Sequence, residues 1–323
     1  MKLRVALGGI LISVVVNAYS AENSVGLNWL EVAAFAGHQT NYSGVFVYQY
    51  GNHVETSNVV HIMEADGEYE KLESLDGPKR EIIRHDGQIW SYNNHKMVQM
   101  DSQQGRARFP FLLPEQLSAL NLNYQSQLLG AERVAGYNAQ VILFQPTDNF
   151  RYSHKIWVHT DSGLLLKAAV LDDKSQVVEQ HAFTQLQIGG AIDRSLVKLI
   201  ATADIHAKLL PKHPDVSKDI TSVNSGWAVD MVPTGFKKTM EILRAMRGKH
   251  APVTQMVFSD GLTAISVFIE ENDGDEDDVD GLYSRGAVNL YHKVSDQYLI
   301  TVVGEIPART VMQVLGSVRY NGK

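Results

Sequence analysis

The chain has 323 residues, 44% of them apolar, with a formal net charge of −7 at pH 7 and no cysteine. Without thiols it can hold no disulfide, thiolate metal site or cysteine nucleophile, and its acidic balance gives no basic surplus to favour nucleic acid. That length suits one large or two ordinary domains, with enough core to fold without covalent staples.

The first segment, MKLRVALGGILISVVVNAYSA, places Lys2 and Arg4 before an apolar run from Val5 to Val16 and ends on small residues at Ala18, Ser20 and Ala21. Charge, apolar run and small residues in that order predict a secretory signal over residues 1–20, cut between Tyr19 and Glu22. The run falls short of the roughly 20 residues that span a bilayer. Its removal takes the formal charge to about −9. With no cysteine to carry acyl groups at a mature N-terminus, the product is expected to be soluble in the exported compartment.

From Gly26 to His38, Leu27, Leu30, Ala33 and Ala34 form a helical stripe. Beyond it the period changes to two. In GVFVYQYG, Val45 and Val47 oppose Phe46, Tyr48 and Tyr50, so both faces of the strand are apolar. Asp-Gly pairs at 66–67, 76–77 and 86–87 recur ten residues apart, which suits a meander of antiparallel strands joined by turns needing positive φ. TDSG (160–163) and LDDKSQ (171–176) read as further turns, and AQVILF and GLLLKAAVL are again apolar on both faces. A parallel sheet would explain two apolar faces, but these connections are too short for crossover helices. The expected fold is α+β, a curved antiparallel sheet partly covered by helices or loops. The candidate cover is Ala107 to Tyr124, where Phe109, Phe111, Leu112, Leu113 and Leu117 crowd beside a short helix expected to start at Pro114. It reads either as core or as a plug over an apolar pocket that admits a lipid tail.

Residues 201–225 lose all aromatics and gain Pro211 and Pro214, the composition of a linker between a domain over 21–200 and a second over 226–323. The second segment has strand-like runs in VTQMVFSDGLTAISVFIE, GAVNLYHKV and QYLITVVGEI. It closes on a helix after Pro307, with Val311, Val314, Leu315 and Val318 on one stripe, as a small α+β unit.

No nucleophile elbow, phosphate loop, zinc-protease motif or dinucleotide fingerprint occurs, so the chain is expected not to be an enzyme and to need no cofactor. The twelve histidines are scattered. His154 and His159, five apart on a strand, would face opposite sides in structural or surface roles. The acidic run EENDGDEDDVDG, aligned as a calcium loop on Gly281, places Ala287 where the bidentate glutamate is required, which favours a solvated loop over a metal site.

LESLDGPKREIIRHDGQIWSY, RYSHKIWVHTDSGLLLKAAVLDDKSQVVEQHAF, WAVDMVPTGF, YSRGAVNLY and ITVVGEIPARTVMQVLGSVRY resemble, in order and spacing, the MucB/RseB family of regulators of the sigma-E envelope stress response. The resemblance implies an N-terminal half-barrel similar to the lipoprotein carriers LolA and LolB, with an apolar groove and helical plug, and a smaller C-terminal domain. It also implies a periplasmic protein that binds the periplasmic part of an RseA/MucA-type anti-sigma factor, shields it from proteolysis and releases it when lipopolysaccharide or another acyl lipid accumulates. Lipid-groove candidates are Phe46, Tyr48, Phe109, Phe111, Leu112, Leu113 and Leu117; the sequence leaves open which sheet face they line. Partner-surface candidates are Trp227, Val232 and Tyr283, placed on the C-terminal domain because a lipid groove does not need it. The alternative is a soluble carrier of lipid or lipoprotein. A homo-oligomer is left open.

Overall fold

Between Ser13 and Val25 no proline or glycine stops a helix, and α1 (Ser13–Gln39) runs the whole way. The helix expected over 26–38 therefore begins earlier, passing through the expected cleavage point. The computed structural model describes residues 13–85, 88–93, 96–100, 109, 120–197, 221–246, 251–272 and 280–322. Among these no helix is long and apolar enough to cross a membrane. Leu27, Leu30, Ala33 and Ala36 are buried on one side of α1. The helix lies so close to its neighbour that a Cβ at Gly26 would collide with the Ser126 side chain.

Eleven strands follow in one antiparallel sheet: β1 (Tyr42–Tyr50), β2 (His53–Glu64), β3 (Gly67–Ser74), β4 (Arg80–His85), β5 (Gln88–Asn93), β6 (Lys96–Met100), β7 (Tyr124–Val134), β8 (Tyr137–Pro146), β9 (Ser153–His159), β10 (Leu165–Leu171) and β11 (Val177–Ile188). The order β6-β5-β4-β3-β2-β1-β11-β10-β9-β8-β7 is two meanders joined where β1 pairs with β11. Gly67 and Gly77 take φ of +135° and +69° in the turns that the Asp-Gly pairs predict; the third pair, 86–87, lies outside the described residues. Between β10 and β11, Asp172 Oδ1 accepts the Lys174 and Gln176 amides at 2.9 and 2.8 Å. The sheet curls strongly. Tyr137 Oη on β8 donates to the Leu186 carbonyl on β11 at 3.2 Å, across two intervening strands.

The main core lies between α1 and the inner face of this curl, where Tyr42, Phe46, Val59, Ile142, Phe144 and Leu164 to Leu166 join Leu27, Leu30 and Ala33. The outer face is covered piecemeal. Over β2 and β3, the segment after β11 returns with Ile192 and Val197 to pack on Val60, Ile62 and Tyr69. Over β8 to β10, Trp157 stands beside its cross-strand partners Val141 and Lys167. Lys155 and Lys167 Nζ lie 4.6 and 4.5 Å from its ring centroid, and its Nε1 donates to Glu132 at 2.7 Å. Long amphipathic side chains thus cover this part of the apolar sheet.

The C-terminal unit is a seven-stranded sheet, in order β12 (Thr221–Ser222), β14 (Lys237–Arg244), β15 (Val253–Ser259), β16 (Ala264–Glu271), β19 (Tyr298–Gly304), β18 (Val288–Ser295) and β17 (Gly281–Arg285). Helix α3 (Ala308–Gly316) packs against β18 and β19; a four-residue helix α2 (Leu120–Asn123) precedes β7. Thr310, Val311, Val314 and Leu315 are the buried face of α3. Val318, expected on the same stripe, is instead buried in β20 (Val318–Tyr320), which pairs with β13 (Trp227–Val229) because the helix ends before Ser317.

The two units dock through polar contacts. The Arg151 side chain, 0% exposed, donates from Nε to Asp260 Oδ2 at 2.6 Å and also reaches Asp148 and the Thr234 carbonyl. Its guanidinium lies 4.8 Å from the Phe236 ring centroid. Tyr124 Oη donates to Asp260 Oδ2 at 3.2 Å. Asn289 Nδ2 meets Tyr152 Oη at 3.1 Å, and Thr310 Oγ1 donates to the Phe150 carbonyl at 3.0 Å. Glu179 of β11 accepts both the Ala287 amide and Tyr48 Oη at 2.9 Å.

Two consequences are measurable. Removing one member of a buried ion pair strands the other charge, so Arg151→Met is expected to cost about 3–5 kcal/mol and several degrees of thermal midpoint. Arg151→Met/Asp260→Leu should recover part of that loss in a double-mutant cycle; strictly additive losses would rule out the coupling. The second concerns Glu305, after β19, whose carboxyl is pushed up to about 7, first by burial and then by the charge of Glu179. The unfolded chain loses this proton near the ordinary 4.5, the folded chain only near 7, so this group makes stability fall as pH rises through that window. Glu305→Gln should therefore gain on the wild type by on the order of 3 kcal/mol between pH 4 and 8 in urea unfolding. A pH-independent difference would contradict the shift.

Candidate functional site

Strand alternation places one continuous set of side chains on the inner face. Tyr48, His181, Ala168, Ile156, Ile142 and Leu128 are successive cross-strand partners from β1 to β7. The adjoining row runs Tyr50, Glu179, Val170, His154, Phe144 and Ser126. Phe46 and Tyr48 are therefore on the α1-covered face, and Val45 and Val47 point outward.

At the β1–β11 end the row is aromatic. Phe46, Phe109 and Phe183 form a triangle with ring centroids 5.1 to 5.9 Å apart. His181 stacks between Phe109 and Tyr48, at 5.5 and 4.4 Å. Each such pair adds about 0.5–1.5 kcal/mol beyond the area it buries. Burial, then the adjacent Glu179 charge, pushes the Tyr48 phenol well up from its ordinary value, so it stays a hydrogen-bond donor to Glu179.

Beside the aromatic set, over β8 to β11, is a small hollow of about 50 Å³, walled by Leu30 of α1, by Phe144, His154, Ile156, Leu165, Ala168, Ala169, Val170, Glu179 and His181 of the sheet, and by Leu262 of the C-terminal unit. Burial pushes the His154 imidazole down to about 4, so it is neutral at pH 7, and its Nε2 is buried with no hydrogen-bond partner. The walls are apolar apart from Glu179 and the two imidazoles of His154 and His181. Among the described residues no three His, Asp or Glu side chains could share a metal ion. A second, open hollow of about 340 Å³ lies on the outer side of α1 between Val32, Phe35, Gln39 and Ser162.

Of the residues singled out from sequence, Phe46, Tyr48 and Phe109 come together around His181. Phe111, Leu112, Leu113 and Leu117 lie outside the described residues, as do residues 201–220 and 273–279. Trp227 packs edge-on to Tyr298 and against Tyr320, and Val232 joins the same C-terminal core. Tyr283 stands apart, 62% exposed on β17 at the end of the strand order. His154 lines the hollow, whereas His159 contacts the Ser162 hydroxyl at 2.8 Å. Sequence reading passed over His181, Phe183 and Leu262. The first two follow Glu179 at period two, the signal that marked β1; Leu262 is an apolar residue at a hairpin tip, where polar residues are usual.

A family model for the MucB/RseB N-terminal domain matches residues 26–201, and one for the MucB/RseB C-terminal domain matches residues 221–319. The chain is 31% identical over 297 residues to the sigma factor AlgU regulatory protein MucB of Pseudomonas aeruginosa, covering 90% of each. To the sigma-E factor regulatory protein RseB of Haemophilus influenzae it is 27% identical over 305 residues, covering 93% of each. A crystal structure of MucB in complex with MucA(peri) superposes with a TM-score of 0.71 at 28% identity, over 92% of this chain and 99% of that one. Two consecutive domain matches spanning nearly the whole chain place it in one family: it belongs to the MucB/RseB family.

Proposed function

We propose that the chain is a periplasmic, non-enzymatic regulator that binds the periplasmic segment of an RseA/MucA-type anti-sigma factor, protects it from regulated proteolysis and releases it when lipopolysaccharide or a related acyl lipid enters the inner face of the curled sheet. What carries the reading is the match of both domains, in order, to a family with a solved MucB–MucA(peri) complex. The signal-like first segment supports export. The aromatic set Phe46, Tyr48 and Phe109, with Phe111, Leu112, Leu113 and Leu117 beside it in sequence, supplies the apolar surface an acyl chain needs. For the partner surface, Tyr283 is the most accessible of the three candidates. It lies on the last strand of its sheet, where backbone groups can pair with an added peptide strand. A carrier that only shuttles lipid would not need this second domain.

The two ligands must then be linked. If lipid lowers affinity for the anti-sigma segment, that segment lowers affinity for lipid by the same factor, roughly 5- to 150-fold for a coupling of about 1–3 kcal/mol. Titrating an RseA/MucA-type periplasmic peptide into the full chain at rising lipopolysaccharide is expected to show this loss. Tyr283→Ala should weaken the peptide and leave lipid binding unchanged. A peptide affinity that stays flat at saturating lipopolysaccharide would remove the switch.

A further inference from the structure

The hollow on the inner face is closed by a piece of the other domain. Between β15 and β16 the chain turns through Asp260, Gly261 and Leu262, and Asp260 Oδ1 accepts the Leu262 and Thr263 amides at 3.0 and 2.9 Å, fixing the tip. Its other oxygen is held by Arg151 and Tyr124 of the N-terminal domain. Leu262 thereby packs against the N-terminal core and forms one wall of the hollow that His154 and Ala168 also line. What remains is about 50 Å³, against the 300–1,000 Å³ typical of sites for small ligands. The wall also carries the unpartnered, fully buried His154 Nε2, a polar atom that ordinary core packing would leave satisfied.

We infer that Leu262 is a built-in competitor for an acyl chain: the hairpin tip of the C-terminal domain occupies the end of the N-terminal lipid site, and a chain of hydrocarbon enters only as the tip withdraws. The inference rests on the lipid-binding reading above and gives it a moving part. One side chain must leave, and it belongs to the domain that reading assigns to the protein partner. Occupancy of the groove and docking of the domains therefore exclude one another, and a ligand that binds one form shifts the balance between them.

The test uses dodecanoate as the probe and the full-length chain. If the tip fills the hollow about nine-tenths of the time, clearing it tightens apparent binding about tenfold. Leu262→Ala should bind dodecanoate about tenfold more tightly than wild type by titration calorimetry, and Leu262→Met, which keeps the volume, should stay near wild type. Ala168→Leu, which fills the hollow from the sheet side, should weaken binding, with folding checked by circular dichroism. Because the chain has no cysteine, spin labels at Asp161→Cys and Lys293→Cys report one distance between the domains, expected to lengthen or broaden on adding dodecanoate. Dodecanoate that binds wild type and Leu262→Ala equally, or leaves the label distance unchanged when bound, would overturn the competitor while leaving the lipid site standing. Failure of dodecanoate to bind either protein would overturn the lipid site itself, and the competitor with it.

Discussion

An open sheet with an apolar inner face has to be covered by something other than itself. A closed barrel satisfies its own interior, but here β6 and β7 end the strand order on separate edges, and the curl brings the β7–β8 side back towards β11 without pairing. The inner rows from Tyr48 to Leu128 and from Tyr50 to Ser126 must be shielded from outside the sheet. At about 25 cal/mol per Å² of apolar surface, leaving even a few such side chains wet is a serious loss. Among the described residues the shielding includes the Leu27–Leu30–Ala33 stripe of α1, Leu120, the ring of Phe109, and the Leu262 tip of the second domain.

These covers are attached in different ways. α1 is seated by the apolar contacts of Leu27, Leu30 and Ala33, with Gly26 close against the Ser126 side chain. The hairpin tip is held mainly by a buried ion pair and its hydrogen bonds, with one leucine making the apolar contact. A buried pair adds little net stability compared with apolar groups of the same volume, because desolvation offsets the Coulomb gain, yet it fixes geometry sharply. The domain interface is thus specific without being strongly adhesive, which is the combination a detachable cover requires.

The parts that could be read from the sequence are those set by local pattern. Alternation in GVFVYQYG, the Asp-Gly spacing and the Val311–Val314–Leu315 stripe each depend on neighbours a few residues apart, and each corresponds to an element of the structure. Val318 misled because the helical period continues numerically past the point where the backbone stops being helical at Ser317. The apolar character of both strand faces was visible, but what covers the outer one was not. Ile192 and Val197 returning over β2, and Trp157 between two lysines, are contacts between segments that no short window contains. Leu262 illustrates the same limit more strongly, since its meaning depends on a domain docked more than a hundred residues along the chain from the β8 and β9 strands it covers.

The electrostatics of the interface add a direction to this arrangement. Glu179 belongs to the N-terminal domain and Glu305 to the C-terminal one, so docking brings two carboxylates into one neighbourhood, where the Ala287 amide and the Tyr48 hydroxyl satisfy Glu179. Glu305 responds by holding its proton up to about 7, burial being the larger cause and Glu179 the second. Separating the domains takes Glu179 away and removes that second cause, so the docked form binds more protons near neutrality than the separated form. By the contribution of Glu305 alone, rising pH favours separation and falling pH favours docking.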